Sequence, residues 1–173
     1  MKSVLISIQP KWCKLISNGK KTIEVRKTKP KLKPPFKCYI YCTKPREKIF
    51  YHGEYYNDLL YKDFWSDELI CGCTMGDALN GKVIGEFVCD TIVIDKTFGH
   101  DPLFNGAACM SEVETAAYSC QSPIYGWHIS DLKIYDMPKE LSNFTGLRET
   151  KFGAEPIKIT RPPQSWCYVE EVE

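Results

Sequence analysis

No stretch of the chain is apolar for long enough to span a membrane, and the opening Met1–Ile8 run is interrupted at once by Gln9, Pro10 and Lys11, too early for a signal-peptide core. Histidine is scarce, at three residues, and no close pair of metal ligands is followed by a second at finger-like spacing. Cys71-Gly-Cys73 would bind zinc only by recruiting distant ligands such as Cys38, Cys42 or a histidine. There is no glycine-rich phosphate loop and no Ser/His/Asp arrangement, so nucleotide hydrolysis on a P-loop and triad chemistry are set aside. Internal repeats and linkers are also missing. These absences call for no cofactor and no metal, exclude membrane contact, and make the cytoplasm the expected location.

What is present is ordinary globular chemistry. At 173 residues the chain is long enough for one domain with a real core, and 43% hydrophobic with 26% charged residues argues against disorder or a fibre. Nine cysteines, an odd number without a framework spacing, read as reduced thiols. The formal charge of +1 conceals an asymmetry: residues 11 to 37 carry ten Lys or Arg against one acid, Glu24. Such a concentration attracts phosphates, although a solvated lysine-rich loop accounts for it equally well.

Along the chain, residues 3 to 8 read as a buried strand. Pro10 suits the first turn of a helix with Trp12, Leu15 and Ile16 on one face, stopped by Asn18-Gly19. In "GKKTIEVR", residues 19 to 26, alternation turns Ile23 and Val25 to the core and Thr22, Glu24 and Arg26 to a groove or to water. Residues 28 to 36, rich in Lys and Pro, form a loop, and "KCYIYCT" (37 to 43) a strand. Gly81 to Asp95 is a long strand with a bend or bulge near Gly85. Ser111, with Glu114 at the third helical position, begins a helix to Ser119. Tyr125 to Ile129, Leu132 to Met137 and "SWCYVEE" (165 to 171) complete the strands, the last closing the sheet. Strands outnumbering helices suggest a curled, mainly β barrel dressed with helices.

Gly19, Lys21, Glu24 and Arg26 resemble the Gly-x-Lys-x-x-Glu-x-Arg pattern of the ASCH domain, a family within the PUA-like superfamily of RNA-associated β-barrels. The preceding "SIQPKWCKLISNG", the "GKVIGEF" strand and the closing "YGWHISDL" and "RPPQSWCYV" segments support the resemblance. It implies an α+β fold: a single domain over 1–173, a PUA-like small β-barrel with a helix after the first strand, and insertions at about 44–80 and 97–122. It further implies a cleft beside the first helix and an association with RNA or nucleotides. One branch of the family deacetylates modified cytidine nucleosides with a Lys and a Thr of this motif and a Glu from a later strand. Here Glu24 stands in the threonine's place. A two-residue step along a strand moves a side chain by about 7 Å, so Thr22 is no automatic substitute; Glu86 matches the later acid by position.

Three readings stay open. As a binding module, the protein recognises a base or phosphate of RNA or a nucleotide-like ligand through Lys20, Lys21, Thr22, Glu24 and Arg26. Trp12, Tyr39, Tyr41 or Trp127 then offers a stacking face, and the lysines of 27 to 37 follow the backbone. As a hydrolase of a nucleoside amide or of RNA, it uses Lys21, Glu24 and Glu86 in acid-base roles, with Arg26 holding an oxygen. As a protein-interaction module, it presents the tyrosine-rich segment 50–65 to a protein partner. His128 alternates out of register with Trp127, so one of the two faces outward.

Overall fold

The computed structural model describes residues 1–44 and 79–172. Most of the expected 44–80 insertion, the tyrosine-rich segment and Cys71-Gly-Cys73 therefore lie outside the described residues. The centre of the molecule is β1 (Lys2–Ile8), whose apolar run is buried on both faces: Val4, Ile6 and Ile8 enter one core cluster and Leu5 another. A strand covered on both sides reads as a near-continuous apolar run; here the run is Val4 to Ile6 with Ile8, preceded by the buried Ser3 and interrupted by the buried Ser7. It pairs in parallel with β3 (Phe36–Cys42) and antiparallel with β10 (Trp166–Glu170). β3 sorts its side chains in the same way, with Cys38, Ile40 and Cys42 on one face and Tyr39 and Tyr41 on the other.

Parallel neighbours need a crossover. Here it consists of α1 (Pro10–Ser17), β2 (Ile23–Arg26) and the lysine-rich loop. Pro10 occupies the helix start, where its missing N–H costs nothing. α1 buries Pro10, Cys13 and Ile16, a face rotated from the expected Trp12–Leu15–Ile16 stripe, and this rotation leaves Trp12 at the helix edge.

The long strand expected over 81 to 95 is two strands. β4 (Val83–Cys89) pairs with β3 and with β7 (Ser130–Lys139), whereas β5 (Ile92–Asp95) pairs with β6 (Ile124–His128) in a separate sheet. The register of β4 against β7 slips across Gly85, where a Cβ would sit 2.5 Å from the Lys133 carbonyl oxygen; only glycine permits that approach. The switch between sheets comes later, at Asp90-Thr91.

The larger sheet has the order β7-β4-β3-β1-β10-β8-β9 and the smaller the order β2-β6-β5, with β8 at Thr145–Thr150 and β9 at Gly153–Lys158. The sequence-based barrel does not close in these pairings, because β7 and β9 are edges among the described residues. Nor does the tail strand close the sheet from an edge; it lies between β1 and β8. The two sheets meet around Trp127, which packs against Phe36 and Trp166.

Two further α-helices complete the fold of the described residues. α2 (Pro102–Ala108) is capped by Asp101, whose carboxylate accepts from the Leu103 and Phe104 amides. α3 (Glu112–Ser119) has the expected capping box between Ser111 and Glu114. Phe104 and Ala108 bury against Ile23, Val25 and Ile124, so the 97–122 region backs β2.

Candidate functional site

The cleft begins where α1 ends. Gly19 has φ +74°, a left-handed conformation that costs glycine nothing, and its amide donates to the Ile16 carbonyl. The Lys21 amide donates back to Leu15, and the Thr22 amide to Ala107 of α2. This tight exit turns Lys21 inward, to 2% exposure, and leaves Lys20 and Thr22 on the outside. Strict alternation would group Lys20, Thr22 and Glu24; the turn breaks that register before the strand starts. Lys20 and Thr22, both expected at the ligand, are thus solvent-facing.

β2 supplies the other two charges. Arg26 Nη2 lies 2.9 Å from Glu24 Oε1 and donates to the Ser7 carbonyl at 2.6 Å. Arg26 Nη1 reaches Ser165 Oγ at 3.4 Å. Lys21 Nζ lies 3.7 Å from Glu24 Oε2 and donates to the Ala108 carbonyl at 2.7 Å. All three side chains are at least nine-tenths buried, a correction to the open groove or exposed ion pair that alternation allowed. Burial pulls the Lys21 ammonium below its usual lysine pKa, and the nearby Glu24 carboxylate resists that shift. Glu24 Oε2 and Arg26 Nε are left without hydrogen-bond partners among the described residues.

The triad forms the inner wall of a cleft of about 930 Å³. Trp12, Met110 and Tyr118 add apolar and aromatic surface, Lys11 and Lys44 add charge, and Pro162 to Gln164 form the far side. Lys21 Nζ sits 4.8 Å from the centre of the Trp12 ring, a cation–π distance. Met110 and Tyr118 show that the α2–α3 region helps to build the site. Tyr118 was missed in sequence; it carries no local signal, because helix α3 approaches β2 only in the folded chain.

The other aromatic candidates do not reach the cleft. Trp127 is fully buried in the main core, since its neighbours on β6 place it between the two sheets. Tyr39 and Tyr41 belong to the second core cluster with Leu5, Val83 and Phe144. His128 faces outward, its Nδ1 2.6 Å from Asp90. Glu86 also lies away from the triad: it accepts from the Tyr135 hydroxyl at 2.5 Å and pairs with Lys37 at 3.8 Å. Its position on β4 resembles that of the later acid, but its side chain faces the second core cluster. Among the described residues no three or more His, Cys, Asp or Glu side chains converge as metal ligands, and no helix is long and apolar enough to cross a membrane.

No family model matches the chain, and no curated protein does. Solved structures do. The crystal structure of ASCH from Zymomonas mobilis covers 98% of this chain, with 88% of its own length matched, at TM-score 0.56 and 19% identity. A tyrosine-to-phenylalanine variant of that Zymomonas mobilis protein gives 99% and 92% coverage at TM-score 0.57 and 19% identity. The chain has an ASCH-like fold. A serine-to-alanine variant agrees, at TM-score 0.54 and 18% identity over 98% and 89%. The ASCH-like arrangement here is α+β, with a large sheet, three α-helices among the described residues and the first helix directly beside the cleft.

Proposed function

We propose that the protein is an RNA- or nucleotide-binding module of PUA-like type that takes one base into the cleft beside α1. The observation that carries this reading is Glu24: a buried carboxylate in the cleft lining, with one oxygen held by Arg26 at 2.9 Å and the other 3.7 Å from the Lys21 ammonium but accepting no hydrogen bond. A buried acceptor in that state favours a ligand that brings N–H donors. A phosphate at the same spot would meet the carboxylate's own negative charge. A base edge with an exocyclic amino group meets the requirement, since carboxylates accept from such amines, whereas uracil offers one imino N–H flanked by two carbonyl oxygens that would face the carboxylate; Arg26 and Lys21 keep the wall cationic. Trp12 and Tyr118 supply faces for stacking, each worth about 1–3 kcal/mol per base.

Calorimetric titration with the four nucleosides tests this. Cytidine, adenosine and guanosine are expected to bind about tenfold or more tightly than uridine, with the preference lost in Glu24→Gln and affinity falling in Arg26→Ala. Absence of binding by all four would remove the reading.

A hydrolase reading is favoured by one feature, the depressed pKa of Lys21 beside Glu24 in the cleft, which suits a base. Its weakness is the missing motif threonine, with Thr22 turned outward and Glu86 remote. Incubation with N4-acylated cytidines and single-stranded RNA, beside a Lys21→Ala control, decides it: consumption no faster than the control excludes catalysis through this lysine.

A further inference from the structure

The loop between β2 and β3 carries Lys27, Lys29, Lys31 and Lys33 without an intervening acid, and all four are exposed. It is pinned rather than loose. Trp166 Nε1 donates to Thr28 Oγ1 at 3.0 Å, and the Lys31 amide donates to the Tyr168 hydroxyl at 2.8 Å. Both anchors come from β10, so the strip is held against the large sheet.

The strip continues directly from the cleft. Lys27 follows Arg26 in the chain, and its ammonium lies 5.3 Å from the ring centre of Tyr118, a cleft residue. Lys29 lies 5.9 Å from the ring of Tyr125, which is the β6 partner of Arg26. Lys31 has Glu149 at 4.0 Å, but no carboxylate among the described residues is within ion-pair distance of Lys27, Lys29 or Lys33. Lysines that pair with no carboxylate among the described residues, set beside a cleft where the Glu24 carboxylate faces the ligand, divide the work between two surfaces.

We infer that this strip is a phosphate track for single-stranded RNA, binding the backbone of nucleotides that flank the one whose base enters the cleft. The inference rests on the cleft reading above for the identity of the polymer. A strand is required rather than a duplex, because a paired base could not enter the cleft. Phosphates along the strip would replace counterions, so affinity for RNA has to fall with salt, whereas affinity for a free nucleoside does not.

The test uses the full chain with a short labelled single-stranded RNA followed by fluorescence anisotropy, and the free nucleosides followed by calorimetry. One variant combines Lys27→Ser, Lys29→Ser and Lys33→Ser; a charge-matched control combines Lys96→Ser, Lys151→Ser and Lys158→Ser, exposed lysines elsewhere. The strip variant is expected to bind RNA about tenfold or more weakly, with the slope of log affinity against log salt reduced by about 2, while nucleoside binding is unchanged. The control is expected to bind both ligands like the wild type. Equal losses in the two variants, an unchanged slope in the strip variant, or a wild-type chain that binds nucleoside but no RNA would each overturn the track. RNA binding that needs the strip but survives Glu24→Gln and Arg26→Ala would keep the track and remove the cleft reading.

Discussion

Two charged clusters flank the central sheet, built from the same residue types with different surroundings. Lys21, Glu24 and Arg26 are 2%, 6% and 10% exposed. On the opposite face Lys37, Glu86 and Glu171 are 28%, 21% and 27% exposed, with Lys37 reaching Glu171 at 3.1 Å. Desolvation makes the first cluster expensive to hold, and one of its carboxylate oxygens, 3.7 Å from Lys21, still accepts no hydrogen bond. The second stays close to water, where an ion pair contributes little. A protein that keeps three charges dry around a cleft, with hydrogen-bonding capacity unused, bears a cost that stability alone does not explain. That contrast, more than the motif, singles out the first cluster as the site.

The largest expected effect is on stability. Glu24→Leu leaves two buried cations without their counter-charge and is expected to cost about 3–5 kcal/mol in urea unfolding. Glu171→Leu, which removes one partner of the better hydrated Lys37, should cost less than about 1 kcal/mol. Similar losses in both variants would erase the distinction.

A second effect, of opposite sign at the two lysines, appears at alkaline pH. Burial lowers the pKa of Lys21 in the folded protein, so in the window just below the ordinary lysine value of about 10.4 the unfolded chain binds more protons and stability rises with pH. The hydrogen bond to Glu171, followed by the smaller attraction of Glu86, raises the pKa of Lys37; its contribution is complete below that value and is lost as pH climbs above it. Unfolding midpoints measured from mildly to strongly alkaline pH for Lys21→Met and Lys37→Met, each subtracted from wild type, should slope in opposite directions. Parallel differences would mean that the two lysines sit in equivalent environments.

Much of this was legible in sequence because it is local. The β1 run, the proline start of α1, the capping box at Ser111 and the motif from Gly19 to Arg26 each signal through near neighbours. Lys21 was ambiguous, since alternation selected Lys20; the answer depended on a glycine turn whose register no periodicity records. Burial of Glu24 and Arg26 was hidden because polar residues on alternate positions imply an open face unless something covers them, and the cover comes from Ser7, Ser165, Tyr118 and residues 162–164, distant in the chain. Trp127 and Tyr41 misled for the converse reason: aromatic residues on half-buried strands look alike until both sheets are assembled. The β8–β9 hairpin escaped notice because β9 is exposed throughout and has no alternating apolar pattern to announce it.

The smallest effect is the most discriminating for function. Glu24→Gln and Glu86→Gln remove one negative charge each while preserving shape and an acceptor oxygen. At Glu86 the amide oxygen can still accept from Tyr135, the loss is confined to a partly hydrated pairing with Lys37, and stability should move by less than about 1 kcal/mol. Nucleoside affinity should stay within about twofold of wild type, because Glu86 does not line the cleft. Glu24→Gln, by contrast, puts an amide in place of the buried acceptor and should abolish the preference for amino-bearing bases. If calorimetry instead showed Glu86→Gln weakening the nucleoside and Glu24→Gln leaving it intact, the working carboxylate would be the one on β4, and the cleft on β2 would be only a charged cavity.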